Sequence, residues 1–430
     1  MHLIKETYFS FRFMTGFIYN IISILSQGLI WPAQWLSPKM AAFVRGRQNS
    51  FDQLAQTLTQ PGKRIWMHCA SLGEFEQGRP ILEWFRKKHP ETTLVVTFFS
   101  PSGYTVRKDT DLADVVVYLP WDTRYNAKRF LDLVQPTSAF FVKSELWPNY
   151  IEALKKQHVP IYLIAAQFRP DQLFFKPYGG FFKRLLQAMT HIFVQNQSAL
   201  ELVKSMGIQH VSLSGDTRFD RVMQQSKGDN TLPFLEVFKK QARCVILGSS
   251  WPEDHDLWLG IINQYACDQL KFVIAPHSLA PKEMDRISGQ IIPTTLRYNG
   301  SESTDQLALS HAQVLILNTM GDLAKAYAYA DLAYVGGALG TTGLHNILEP
   351  ATFGLPIVIG PHIKKFPEAI ALKDLGGLYV VHNESDLRAI IAPWIDDANT
   401  VQTTGNTALN FVQGHIGATQ HIVDYLSGHR

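Results

Sequence analysis

The feature that most restricts the fold is an alternation along the chain. From residue 63 onward, the short apolar runs RIWMHC, TLVVTFF, DVVVYL, SAFFVK, PIYLIAA and HIFVQN are separated by amphipathic stretches such as 76–88, 124–134, 147–157 and 197–205. The apolar runs read as buried strands and the amphipathic stretches as covering helices. Such βαβ alternation predicts a parallel sheet covered on both faces. The pattern restarts near residue 243 with RCVILGS, KFVIAP, AQVLILN, DLAYVG, LPIVIG and GLYVV. A chain of 430 residues is too long for one ordinary core. The expectation is therefore two doubly wound, Rossmann-like α/β domains, 41–222 and 223–430. The polar segment 223–240 reads as the linker, 297–306 as a polar loop, and 406–427 as a helix packing back across the domains.

Residues 1–40 stand apart. Residues 13–38 are uncharged up to the Lys39 that follows, and include Phe13, Phe17, Ile18, Ile21, Ile22, Leu25 and Leu29. About 20 apolar residues suffice to cross a bilayer. Gly16, Asn20, Ser23 and Gln27, however, fall at helical spacing and form one polar stripe. Pro32 ends such a helix, and Trp31 and Trp35 suit a headgroup region. A membrane-associated helix, spanning or lying flat, is the expectation. A cleaved signal peptide and a helix docked on the protein or on a partner are the other readings. Lys39, Arg45 and Arg47 follow directly, which places the body on the cytoplasmic side.

Charge is uneven. Residues 1–215 hold 24 Lys and Arg against 15 Asp and Glu, a net +9, and the remainder holds 16 against 22, a net −6. A basic first half suits a membrane surface, a phosphorylated substrate or a nucleic acid, or is an uneven scatter of solvated charge. Cys69, Cys244 and Cys267 form neither a disulfide framework nor a CxxC pair, which fits a reducing compartment. There is no HExxH, Walker loop or GxSxG elbow, so no metal site is expected.

Four motifs carry chemistry. In HCASLGEFEQGRP (68–80), Glu74 lies at a strand-to-helix junction. Helix amides there favour its ionised form, which can take a proton from an attacking hydroxyl; a capping box with Ser71 fits the same spacing. In FVKSELWPNYIEAL (141–154), Glu145 precedes a helix starting near Pro148, and a solvated loop carboxylate is the plain alternative. In LSGDTRFDRV (213–222), Arg218 is placed to bind phosphate in a cleft between the domains, or to pair with Asp216 or Asp220. YVGGALGTTGLHNILEPATFGLPIVIGP (334–361) combines close glycines, a helix expected near His345 with free amides for a phosphate, and Glu349 for ribose hydroxyls. APHSLAP (275–281), NTMGDL (318–323) and GSSWPED (248–254) fall at strand ends of the same domain. Ligands bind parallel sheets at such ends, and nucleotide-sugar transferases use two facing domains, although other nucleotide enzymes share the architecture.

SLGE, KSELWPN, GDTRFD, NTMGDL and HNILEP occur in the order found in the Kdo (3-deoxy-manno-octulosonic acid) transferases of lipopolysaccharide synthesis, and the chain resembles that family along nearly its whole length. The resemblance implies a glycosyltransferase-B fold, a CMP-Kdo donor bound by the second domain, and a lipid A precursor acceptor handled by the first. It implies the inner membrane, no cofactor, and no nucleic acid partner. Glu74 matches the catalytic base; Glu145 and Arg218 match positions that support the transition state, with Arg218 where the family usually has Lys. Pro276 and His277, Met320, Gly321 and Asp322, and Asn346, Ile347, Leu348 and Glu349 match the cytidylate-binding segments. The family more often has Arg where this chain has His277, so a guanidinium facing the donor phosphate is missing. Another nucleotide-sugar enzyme of this fold, transferase or epimerase, and a membrane scaffold without chemistry are the alternatives.

Overall fold

The computed structural model describes residues 18–176, 179–301 and 305–428; the first part of the uncharged run, 13–17, lies outside them. The chain forms two compact units. One holds the residues through Arg221 together with those from Ile416 onward, and the other is Val222–His415.

The first unit is built on a seven-stranded parallel sheet of β1 (Arg64–Cys69), β2 (Thr93–Phe98), β3 (Val115–Tyr118), β4 (Ser138–Val142), β5 (Ile161–Ala166), β6 (His191–Val194) and β7 (Val211–Leu213). The spatial order is β3-β2-β1-β4-β5-β6-β7. The direction of winding reverses between β1 and β4, which makes the gap beyond their carboxyl ends a topological switch point. All six residues of RIWMHC are buried, because helices cover both faces. Trp66, Phe130, Phe141 and Tyr150 fill one side, and Met67, Phe75, Phe98 and Phe140 the other. The helices Leu72–Lys88, Arg124–Val134, Pro148–Lys156 and Gln197–Ser205 lie where the amphipathic stretches predict them. Thr123 and Asn196 cap two of them by accepting the amides of Asn126 and Ala199, as short polar side chains do at helix starts.

The second unit repeats the plan with β8 (Arg243–Ser250), β9 (Leu270–Pro276), β10 (Thr295–Tyr298), β11 (Val314–Leu317), β12 (Leu332–Val335), β13 (Ile357–Ile359) and β14 (Tyr379–Val380). Its order is β10-β11-β9-β8-β12-β13-β14, again all parallel. The reversal falls between β8 and β12.

Several expectations need correction. The polar loop 297–306 begins inside β10, an edge strand whose residues are only half-buried, so it shows no apolar run. The linker 223–240 is mostly helical, Thr217–Ser226 and Pro233–Lys239, because Leu235 and Phe238 supply a buried face. The helix expected over 406–427 is two helices, Gln402–Gly414 and Ala418–Gly428, broken at Gly417 with φ of 113°. The second of these covers the first sheet through Ile422, Val423 and Leu426, so residues from 416 onward leave the domain expected at 223–430.

Near the N-terminus, residues 18–30 are helical and a 3-10 turn, Trp31–Trp35, follows around Pro32. Among the described residues no helix is long and apolar enough to cross a membrane. The polar side of this helix faces the protein: Tyr19 donates to Asp122 Oδ2 at 2.6 Å and Ser23 to the Asp122 carbonyl at 2.7 Å. The apolar side faces outward, with Ile22 and Leu25 58% exposed and Leu29 77%. This reverses the usual arrangement of a surface helix.

Candidate active site

The switch point of the first sheet gathers two carboxylates. β1 ends at Cys69, and the helix Leu72–Lys88 begins with Glu74 in its first turn. Ser71 is at the N-cap position but makes no side-chain cap bond. Instead Glu74 reaches back to accept the Ala70 amide at 2.5 Å. β4 ends at Val142, and the chain passes through Lys143, in the left-handed region at φ 64°, to Glu145. A non-glycine residue in that region is strained, a condition that concentrates at functional sites. Trp147 Nε1 donates to Glu145 Oε2 at 3.1 Å.

The electrostatics correct the expectation of a freely ionised Glu74. Burial raises its carboxyl above the ordinary range, while the Ala70 amide and the Lys143 charge pull it back. Burial also raises Glu145, and the Glu74 charge adds to it, pushing its carboxyl up to about 7. Both carboxyls are therefore held above the ordinary range, and Glu145 keeps its proton close to neutral pH. Two carboxyls whose environments separate their proton affinities are suited to different roles. A carboxylate whose proton affinity is raised, as that of Glu74 is, is a better proton acceptor than an ordinary one.

The GDTR loop after β7 docks on the helix of Glu74. Thr217 donates to the Gln77 carbonyl at 2.5 Å, and Gln77 donates to Asp216 at 3.4 Å. Arg218 lies against Asp216, with Nη2 2.8 Å from Oδ2, so the Asp216 pairing is the alternative that the structure contains. Asp220 instead accepts the amides of Gly417 and Thr419.

In the second unit, four neighbouring strand ends carry the remaining motifs. Pro276 is the last residue of β9. The His277 amide donates to the Ser250 carbonyl at 2.9 Å, which ties the ends of β9 and β8 together. The His277 ring stacks on Trp251 at 4.3 Å and 17°. Burial lowers its proton affinity, so it is less charged at neutral pH than an exposed imidazole. His345 completes the stack, 4.8 Å from His277, and accepts a bond from Trp251 Nε1 at 3.2 Å. Burial and His277 hold the His345 ring down to about 4. Trp251 lies within the GSSWPED motif, but its stacking on the two histidines was not read from the sequence.

The glycine loop is held by Asp254, which is fully buried. It accepts the hydroxyl of Tyr334 at 2.5 Å and the amides of Trp251 at 2.8 Å and Gly337 at 3.1 Å. Gly337 has φ of 93°, and a Cβ there would stand 2.1 Å from the Gly343 carbonyl oxygen. The helix expected near His345 starts only at Leu348 and is four residues long. Asn346 opens it, accepting the Leu348 amide at 3.1 Å and donating to Glu349 at 3.1 Å. The side chains of Ile347 and Leu348 belong to the core. After β11, Met320 is exposed, Gly321 has φ of 95°, and Asp322 precedes the short helix Leu323–Ala326.

Two parallel-sheet domains with sites at their strand ends define the glycosyltransferase-B fold. The UDP-GlcNAc 2-epimerase of Neisseria meningitidis shares it: 85% of this chain aligns with all of that one at a TM-score of 0.57 and 14% identity. The family is narrower. The model of the 3-deoxy-D-manno-octulosonic-acid transferase (kdotransferase) N-terminal region matches residues 44–221. A 3-deoxy-D-manno-octulosonic acid transferase of Haemophilus influenzae is 24% identical over 96% of this chain and 98% of its own length. One of Aquifex aeolicus is 26% identical over 75% of this chain and 83% of its own. This chain is similar to the Kdo transferases along most of its length, its first domain matches the model of their N-terminal region, and like them it is a glycosyltransferase.

Proposed function

We propose that this protein is an inverting transferase that moves Kdo from CMP-Kdo to a hydroxyl of the lipid A precursor. The observation that carries the reading is the pair of buried Glu74 and half-buried Glu145 at the switch point of the domain that the family model matches. Glu74 takes the proton of the acceptor hydroxyl. The oxygen forms a bond to the anomeric carbon while the bond from that carbon to the phosphate oxygen breaks. Cytidylate leaves with the electron pair. Glu145 and Arg218 support the charge that develops, and preorganised groups of this kind contribute most when water is excluded. The acceptor is handled by the first unit. The donor is held at Pro276–His277, Met320–Asp322 and Asn346–Glu349 of the second, with backbone amides meeting the phosphate where the family's guanidinium is replaced by His277.

The outward apolar face of residues 18–30, with Trp31, Trp35 and Leu36 beyond it, supports attachment in the interface of the inner membrane, on its cytoplasmic side. The test is mass spectrometry of a lipid A precursor incubated with CMP-Kdo and either the wild type or Glu74→Ala. A wild-type product heavier by Kdo and absent from the folded variant supports the assignment. Full activity of Glu74→Ala removes Glu74 as the base. Competition by uridine rather than cytidine nucleotides points to another sugar donor.

A further inference from the structure

Arg47 is a buried cation without a counter-ion. It is 4% exposed, and among the described residues it forms no ion pair with a carboxylate. Its guanidinium lies 3.8 Å from the ring centre of Phe43, 4.6 Å from Phe99, 5.1 Å from Tyr118 and 5.4 Å from Trp121. Nη1 donates to the Phe43 carbonyl at 2.7 Å, Nη2 donates to the Phe99 carbonyl, and Nε has no partner. Ring faces and carbonyls offset part of the charge, but an unpaired buried ion remains costly. Beside it is a cavity of about 160 Å³ lined by Arg47, Gln27, Gln48, Asn126, Trp31 and Trp121. Trp31 lines this cavity and is also 51% exposed on the apolar outer face.

A chain of aromatic contacts links the cavity to the reacting pair, starting with Arg47 over the ring of Phe99. Phe99 lies 5.0 Å from Trp147, whose indole donates to Glu145. Phe99 and Trp121 follow β2 and β3, at the same sheet edge as Glu74.

We propose that this cavity seats the phosphate of the acceptor: Arg47 and the surrounding polar side chains hold a phosphomonoester carried on a lipid-linked sugar whose reacting end reaches past Phe99 and Trp147 to Glu145 and Glu74. The inference rests on the proposed transfer to a phosphorylated glycolipid. An arginine with free donors suits such a group. The position between an apolar outer face and the carboxylates suits a molecule with acyl chains at one end and a reacting hydroxyl at the other.

The experiment uses the full chain in neutral detergent. The acceptor KM is measured for a phosphorylated glucosamine lipid and for the same lipid after phosphatase treatment. Arg47→Met risks the fold, since Arg47 ties down two carbonyls, so the main variant is Gln27→Glu at an exposed lining position, which gives Arg47 a built-in counter-ion. Gln27→Glu raises KM for the phosphorylated lipid about 10- to 100-fold, the range of a charge-assisted hydrogen bond, and has little further effect on the dephosphorylated one. Equal effects on both lipids, or no effect on either, overturn the proposal. A penalty seen only when anionic vesicles are added assigns the cavity to a membrane headgroup and also overturns it. Should no transfer occur with any donor, tryptophan fluorescence titrations with the two lipids keep the tests separate. Binding that needs the phosphate and weakens in Gln27→Glu upholds this site while the transfer reading fails, and binding indifferent to both removes the site.

Discussion

Glu145→Gln separates what this side chain does for the fold from what it does for the chemistry. Between pH 4.5 and about 7, the folded protein keeps a proton on Glu145 that the unfolded chain has released. Stability from this group is therefore complete below pH 4.5 and declines as pH rises towards 7. Moving a carboxyl over that interval corresponds to about 3 kcal/mol, at about 1.4 kcal/mol per tenfold change. That is an upper value, because Glu145 is partly open to solvent. Glutamine has nearly the same shape and no charge to bury. The variant should match the wild type near pH 4.5 and exceed it by about 2–3 kcal/mol at pH 8, on the order of 5–10 °C in the melting of a unit this size. Urea unfolding followed by tryptophan fluorescence at the two pH values measures it. Transfer should fall in the same variant, the usual exchange of stability for activity at a working site. A stability difference independent of pH, or a variant weaker than the wild type at pH 8, refutes the claim that burial and the Glu74 charge hold the Glu145 proton.

Asp122→Ala removes the acceptor for Tyr19 and for the amides of Asn149 and Tyr150. It should lower the stability of the first unit by about 1–3 kcal/mol and loosen residues 18–30, seen as faster proteolysis there; an unchanged cleavage pattern counts against this anchor. Leu25→Glu with Leu29→Glu should release the protein from vesicles, since each lost apolar contact is worth about 1.5–3 kcal/mol; continued flotation with the vesicles excludes this face as the attachment surface. Gly337→Ala brings a Cβ against the Gly343 carbonyl in a left-handed conformation. It should cost the second unit at least ~2 kcal/mol and abolish cytidylate binding by calorimetry, and normal affinity argues that the loop is not part of that site.

What could be read from sequence was local. Glu74 and Glu145 stood out because each closes an apolar run and opens an amphipathic one. That they share a site depends on β4 pairing with β1 rather than with β3, which is a matter of topology. Helix geometry alone predicted a carboxylate with lowered proton affinity at Glu74, and the burial that raises it comes from its surroundings. The stack of Trp251, His277 and His345 joins three loops, so no motif contains it. Asp122 lies in no motif, and Arg47 reads in the sequence only as one of the basic residues after the apolar run. Their importance arises from a helix that turns its polar stripe inward, a choice the periodicity leaves open. The stripe of Ile422, Val423 and Leu426 predicted a helix but not the sheet it covers.

That last helix has a consequence for how the chain is made. Ala418–Gly428 seals the face of the first sheet that carries Phe193 and Tyr162, yet it follows the whole of Val222–His415. At about 5–20 residues per second, the first sheet waits on the ribosome for roughly 10–40 s with that apolar face uncovered. During this interval the nascent chain offers a patch to chaperones that the finished protein hides, and a stop codon early in the final helix leaves it open for good.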